Sequence, residues 1–385
     1  MARVQEFYKG RRKKKNYAIV PFVILLAILS LIVVLFYGMQ KYAVITKDGV
    51  SVELPILDDG TTAVDSGGNK VKSFETVDTS IVFDAPNYMT IEASAGKDAA
   101  GNDLPGVRAI FVPAENVNKD KLVEYAARLV AGNALVLEMK PRSGQLLWES
   151  HSQMATNYSL SPATEATNAM PGLIEMLKEQ DIYLVAQISC CIDESLPTRT
   201  TAYCIHTEGG ANYRDDVGTW LDAYNLDLRT YVAEMAMELY EMGFDEVVLS
   251  DVAHPTLEEE VPLVYTRDIS TPRSTINAVC GFAVNVAQQL RDRPGALSIY
   301  VDSKPALVKD DTSTGQNAIV FMKMYDRVYI RTDRFAYSYN VDDIAPNVEV
   351  GNVYDRLVPV VENYIPQDNT SWILIDVEEE DTKKN

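Results

Sequence analysis

Residues 17–38 read YAIVPFVILLAILSLIVVLFYG, without one charged position. The run is apolar on every face, whereas a helix packed on a core keeps a polar stripe. Its length meets the roughly 20 residues that a bilayer core requires of a helix. Lys9, Arg11, Arg12, Lys13, Lys14 and Lys15 stand just before it. Such an excess of basic residues stays on the cytoplasmic side. A cleaved signal peptide has a shorter apolar stretch and a small-x-small cleavage site, and Met39-Gln40-Lys41-Tyr42 supplies no such site. No later segment is apolar enough to span. The pattern therefore predicts a basic cytoplasmic segment at 1–16, a single uncleaved transmembrane helix at 17–38, and a cell-membrane protein whose remainder lies outside the cytoplasm.

Residues 39–105 carry short signals only. Positions 41–46 are rich in β-branched residues, Lys47-Asp48-Gly49 is a turn signal, and 50–54 alternate. This predicts a small hairpin. Positions 58–72 and 95–103 are rich in Gly, Asp, Thr and Ser, the composition of a spacer. The region is expected to be a stalk with a little β structure.

From residue 106 the periodicity changes. Short β-branched runs at 107–112, 134–139, 182–189, 246–249, 297–301, 328–331, 357–361 and 372–375 read as strands. Helical patterns at 119–130, 172–180, 228–242, 275–291 and 317–324 lie between them, with Gly243 as a helix stop. Strands that alternate with helices run parallel. Eight such units within 106–377 predict an α/β fold of the (β/α)₈, or TIM, barrel type. A doubly wound nucleotide fold would place a Gly-rich turn after its first strand, where this chain has Pro113-Ala114-Glu115-Asn116. The charged tail, 378–385, is expected to be disordered.

Charge adds direction to this picture. Residues 1–16 hold 7 basic and 1 acidic side chains, which leaves 28 basic and 54 acidic, a net charge of −26, for the rest. An exterior so acidic repels nucleic acid and other polyanions. Four cysteines, Cys190, Cys191, Cys204 and Cys280, are too few for a disulfide framework, although an exterior location permits a bridge. One of the adjacent pair could join Cys204, or all could be buried thiols. His151, His206 and His254 show no metal-ligand spacing. No metal and no cofactor are expected.

Active sites of such barrels sit at the C-terminal ends of the strands. There the sequence places Glu138 and Lys140, Gln187 and Asp193, Ser250 and Asp251, Asp302 and Lys304, Arg331 and Asp333, Glu362 and Tyr364, and Asp376. A charged residue after a strand is also what any solvated loop gives. Asp251, Asp302 and Glu362 stand out because each directly follows an apolar or β-branched run. Paired carboxylates are what glycoside hydrolysis uses, one as acid and one as base or nucleophile. Trp148, Trp220, Trp372 and Tyr364 could stack on sugar rings or cap the barrel core.

These segments resemble a known family. GFDEVVLSDVAHP at 243–255 is similar to the segment GFDEIxFDYIRFP of the bacterial "putative glycosyl hydrolase" barrel family, of the α-amylase-like group. NALVLEMKPRSG at 133–144 resembles its NAVVIDVKDDxG, and 182–193 resembles its IYxIARIVxFKD. Trp220-Leu221-Asp222 with Arg229 and Tyr231, the strand at 297–302, and 372–376 follow in the family's order. Asp251, Asp193, Lys140 and Asp302 are kept. The family's Arg and Tyr beside the fourth strand are Ala253 and Val252 here, its paired Asp is Pro141-Arg142, its Arg on the third strand is Gln187, and its Gln after the seventh strand is Glu362. The resemblance implies a glycoside hydrolase-like protein acting on an envelope or extracellular polysaccharide. Asp251 would be nucleophile or base, and Glu362 or Asp302 the acid. Glu138, Lys140, Gln187, Asp193, Arg331 and Trp372 would bind substrate. The changed positions favour an alternative, a catalytically inactive barrel that binds carbohydrate or serves as a scaffold at the cell surface.

Overall fold

The computed structural model describes residues 43–46, 49–52, 103–129, 133–257, 261–266, 274–301, 311–331, 356–362 and 371–375. The chain divides into two compact units, residues 1–73 and 74–385. In the first, Ala43–Thr46 and Gly49–Val52 form the expected antiparallel hairpin, closed at Thr46 and Gly49. The apolar run at 17–38, the spacers at 58–72 and 95–102, and the tail at 378–385 lie outside the described residues. Among the described residues no helix is long and apolar enough to cross a membrane.

The second unit is a closed barrel of eight parallel strands: β1 Arg108–Val112, β2 Ala134–Lys140, β3 Tyr183–Ser189, β4 Glu246–Ser250, β5 Ala296–Val301, β6 Arg327–Arg331, β7 Leu357–Glu362 and β8 Trp372–Ile375. Each strand pairs with the next in sequence, and β8 closes on β1 through Trp372 beside Arg108. Strands covered on both faces read as near-continuous apolar runs, and all five residues of β4 are buried. Alternation sorts the side chains into two layers. Ala109, Val136, Val185, Val248, Tyr300, Tyr329, Val360 and Ile373 fill the lumen. Leu135, Leu137, Leu184, Ala186, Val247, Leu249, Leu297 and Ile299 face outward into the layer beneath the helices.

Among the described residues six α-helices occupy the connections: α1 Lys119–Ala127, α2 Gln153–Tyr158, α3 Glu165–Lys178, α4 Leu226–Met242, α5 Thr275–Gln289 and α6 Ala318–Met324. Asn118, Ser152, Thr164, Asn225, Ser274 and Asn317 cap their N-termini with side-chain acceptors. Gly243, at φ 113°, ends α4 in the left-handed conformation. Two helices differ from expectation. α3 begins at Glu165 rather than 172, because Thr164 and Thr167 form a reciprocal capping box and the helix runs on through Pro171. α2 has too short an apolar pattern to show in the sequence; it is held by Met154 and Ala155 in the core.

The closed end of the lumen carries a buried polar floor. Glu246, first in β4, pairs with Arg327, first in β6. Glu246 also accepts hydrogen bonds from Ser298 Oγ at 2.5 Å, Tyr329 OH at 2.7 Å and Tyr183 OH at 3.0 Å. This cluster saturates both charges, which burial otherwise makes costly. The four cysteines are buried and unbridged.

Candidate active site

At the opposite, C-terminal end stand Asp251, Glu138, Gln187, Arg331 and Glu362 of the groups that the sequence singled out. Asp251 follows β4 directly and is almost fully buried. Its backbone is left-handed, with φ 54°, a conformation that Asp tolerates better than most residues yet still costs energy. The surroundings hold it there. Its backbone carbonyl accepts from Cys191 N at 3.1 Å. Its Oδ1 accepts from Arg142 Nε at 3.0 Å and Nη2 at 2.5 Å, and its Oδ2 from Ser189 Oγ at 2.7 Å. A guanidinium on one oxygen and a hydroxyl on the other fix the carboxylate's orientation.

Glu138 stands two strands away on β2. Ala134 and Val136 point into the lumen, and Glu138 continues that row. Between Glu138 and Lys140 the register with β3 shifts, a β-bulge at Met139. Bulges re-aim side chains at barrel rims. Here the bulge sends Lys140 into the protein, where it meets Asp193 at 2.9 Å and donates to Ser189 O at 2.8 Å. Glu138 is half-buried, and its Oε2 accepts from Ala114 N at 3.1 Å. Burial pushes its carboxyl above the ordinary 4.5; the Ala114 amide opposes this, the charges of Glu115 and Asp251 add to it, and Arg142 opposes it.

Gln187 lies directly beside Glu138 in the register. Its Oε1 is buried and finds no donor among the described residues. A buried acceptor without a partner is unusual, and a ligand hydroxyl is one group that could satisfy it.

The remaining sequence candidates are distributed differently. Lys140 and Asp193 are both buried, and Asp193 Oδ1 also accepts from Ser195 N and Leu196 N, each at 2.8 Å. That pair braces the loops beneath the rim rather than meeting a ligand at an open surface. Arg331 and Glu362 stand at the same end of the barrel, exposed, and pair with each other at 3.2 Å. Asp302, Lys304, Asp333, Tyr364 and Asp376 lie outside the described residues. Trp372 requires a correction: it is the first residue of β8, beside Arg108 at the start of β1, and is 3% exposed. It therefore sits at the far end of the barrel from Asp251, because parallel strands all begin at one end. Trp148 and Trp220 are also buried, their indoles donating to Glu238 and Asp215.

Arg142 and Ser189 escaped the sequence reading as site groups. Ser189 ends an apolar strand without a charge to mark it. Arg142 was visible only as a departure from the family pattern, and its partner is 109 residues away. Among the described residues no three His, Cys, Asp or Glu side chains gather as a metal site.

A closed (β/α)₈ barrel with carboxylates at its C-terminal mouth is the class that fold and site define. The family model described as "Putative glycosyl hydrolase domain" matches residues 109–331, more than half of the chain, and the chain belongs to that family. Several solved structures are similar in fold. A hypothetical protein from Ruminiclostridium thermocellum is 21% identical, over 49% of this chain and 96% of that one, with a TM-score of 0.43. The PgaB (BpsB) glycoside hydrolase domain from Bordetella bronchiseptica is 14% identical, over 67% of this chain and 84% of that one, with a TM-score of 0.44. The GH36 alpha-galactosidase AgaA from Geobacillus stearothermophilus is 12% identical, over 76% of this chain and 41% of that one, with a TM-score of 0.47. No curated protein matches the chain.

Proposed function

We propose that this protein hydrolyses glycosidic bonds in an envelope or extracellular polysaccharide, from a barrel held at the outer face of the cell membrane by residues 17–38. The observation that carries the reading is Asp251: a buried carboxylate at the end of β4, in left-handed backbone, with Arg142 and Ser189 on its two oxygens. Strain of this kind collects at functional sites. Asp251 is the carboxylate that stabilises or attacks the electron-poor anomeric carbon. Family membership supports carbohydrate as the substrate class.

One observation favours the second reading, a binding or scaffold barrel. Both Asp251 oxygens are engaged, and Glu362, expected as the acid, is paired with Arg331 instead. The test separates the two. The full chain in detergent is incubated with a panel of envelope and extracellular polysaccharides, and new reducing ends are measured. Asp251→Asn removes the charge without opening a cavity. The glycosidase reading expects turnover that falls by about three orders of magnitude or more in the variant, with an unchanged melting curve. Glycan binding with no turnover in the parent protein would establish the binding barrel. Full turnover in Asp251→Asn would remove this residue from the mechanism.

A further inference from the structure

We infer that Glu138, rather than Glu362 or Asp302, is the proton donor to the leaving glycosidic oxygen. The inference rests on the glycosidase reading and adds to it the identity of the acid.

Geometry leads to this residue. Glu138 is the last side chain of β2 to point into the lumen before the bulge at Met139 turns the strand. Without that bulge, period-two alternation would direct Lys140 to the lumen as well. The bulge instead buries Lys140 against Asp193 and leaves a carboxyl as the last lumen-facing group of this strand. β2 and β4 are separated by β3 alone, so their backbones lie about 10 Å apart at the mouth. Carboxyl groups projecting inward from both can flank one sugar ring.

The two carboxyls also differ in environment, as an acid and its partner must. Asp251 is ion-paired with Arg142, whereas among the described residues Glu138 has no hydrogen bond or ion pair to a cation. Its backbone partner, Ala114 N, fixes Oε2 and leaves Oε1 to carry the acidic proton. Burial raises its pKa, and the nearby Asp251 charge adds to the rise. Glu362 has a different setting: it is half-exposed, and its carboxyl is ion-paired with Arg331.

In the bond-breaking step, the bond from the anomeric carbon to the glycosidic oxygen breaks and its electron pair stays on that oxygen. The oxygen takes the Glu138 proton, leaving Glu138 as a carboxylate. The carbon receives an electron pair either from Asp251 or from a water that Asp251 deprotonates. Gln187 Oε1, beside Glu138 in the sheet, is placed to accept a hydrogen from a ring hydroxyl.

The test compares Glu138→Gln with the parent on the polysaccharide it cleaves and on an aryl glycoside of the same sugar with a dinitrophenolate leaving group. Gln keeps an oxygen for Ala114 N, so the melting curve should not move. The polysaccharide rate should fall about 10²- to 10⁴-fold. The activated aryl glycoside, which needs no proton, should lose under about tenfold in its bond-breaking step. The parent's rate should decline on the alkaline side as Glu138 ionises, and that decline should vanish in the variant. Glu138→Asp should recover part of the polysaccharide rate, because it restores a proton at a shorter reach. Equal losses on both substrates, or an unchanged alkaline decline, would overturn the assignment while leaving the glycosidase reading intact. A parent without turnover on any glycan would overturn both.

Discussion

At the scale of single residues, Gly144 shows how tightly the rim is built. It lies at φ 78°, and a Cβ there would stand 2.0 Å from Asp193 Oδ1. The turn it belongs to carries Arg142: Gly144 N donates to Pro141 O at 2.9 Å, and Glu194 N donates to Arg142 O at 3.1 Å. Gly144→Ala should therefore cost about 3 kcal/mol, from left-handed strain plus displacement of the buried Asp193. Urea unfolding checks the magnitude. Because the turn must shift, the rate should fall as well, beyond what lost folded protein explains. A variant with full activity per folded molecule would show that Arg142 does not depend on this turn.

Among the elements, the barrel floor couples strands that are distant in sequence. Glu246 on β4 and Arg327 on β6 are buried, and Arg327 also donates to Tyr183 OH at 3.4 Å. Breaking a buried pair leaves one charge uncompensated and costs about 3–5 kcal/mol. Glu246→Leu and Arg327→Met should each show a loss of that size. The double variant, which buries no lone charge, should lose clearly less than the sum. A double-mutant cycle by denaturant unfolding measures this. Additive losses would mean that the two side chains act independently, and that the floor is a set of separate hydrogen bonds rather than one unit.

For the whole molecule, the expectation is an outward-facing barrel on a single membrane helix. That expectation takes its orientation from the lysine and arginine cluster before residue 17, since basic flanks stay inside. Protease added to intact cells should digest the C-terminal region and spare a short N-terminal fragment. A C-terminal region protected until the cells are permeabilised would reverse the orientation. The four cysteines are all buried as free thiols, so the proposed exterior location, which permits disulfides, leaves them unbridged. Burial pushes Cys191 and Cys204 up to about 12, so these two stay protonated and unreactive while the fold is closed.

The sequence by itself determined the alternation of strands and helices, the parallel barrel and which polar groups follow the strand ends. These follow from local periodicity, and periodicity survives in a linear reading: the GFDEVVLSD segment, 243–251, announced both the helix stop at Gly243 and Asp251 at the end of a buried strand. The tertiary structure alone decided which of those polar groups meet. Arg142 reaches Asp251 and Ser189 reaches the same carboxylate across 62 residues, because barrel closure sets strands β2, β3 and β4 side by side. Lys140 and Glu138 are two residues apart and should share a face by period, but a one-residue bulge separates them into a buried brace and a group at the mouth. Trp372 looked like a rim aromatic because its strand is short, and only the pairing with Arg108 shows that it begins that strand at the other end. Register and contact across the barrel arise from pairing between distant segments, and a linear pattern carries no record of that pairing.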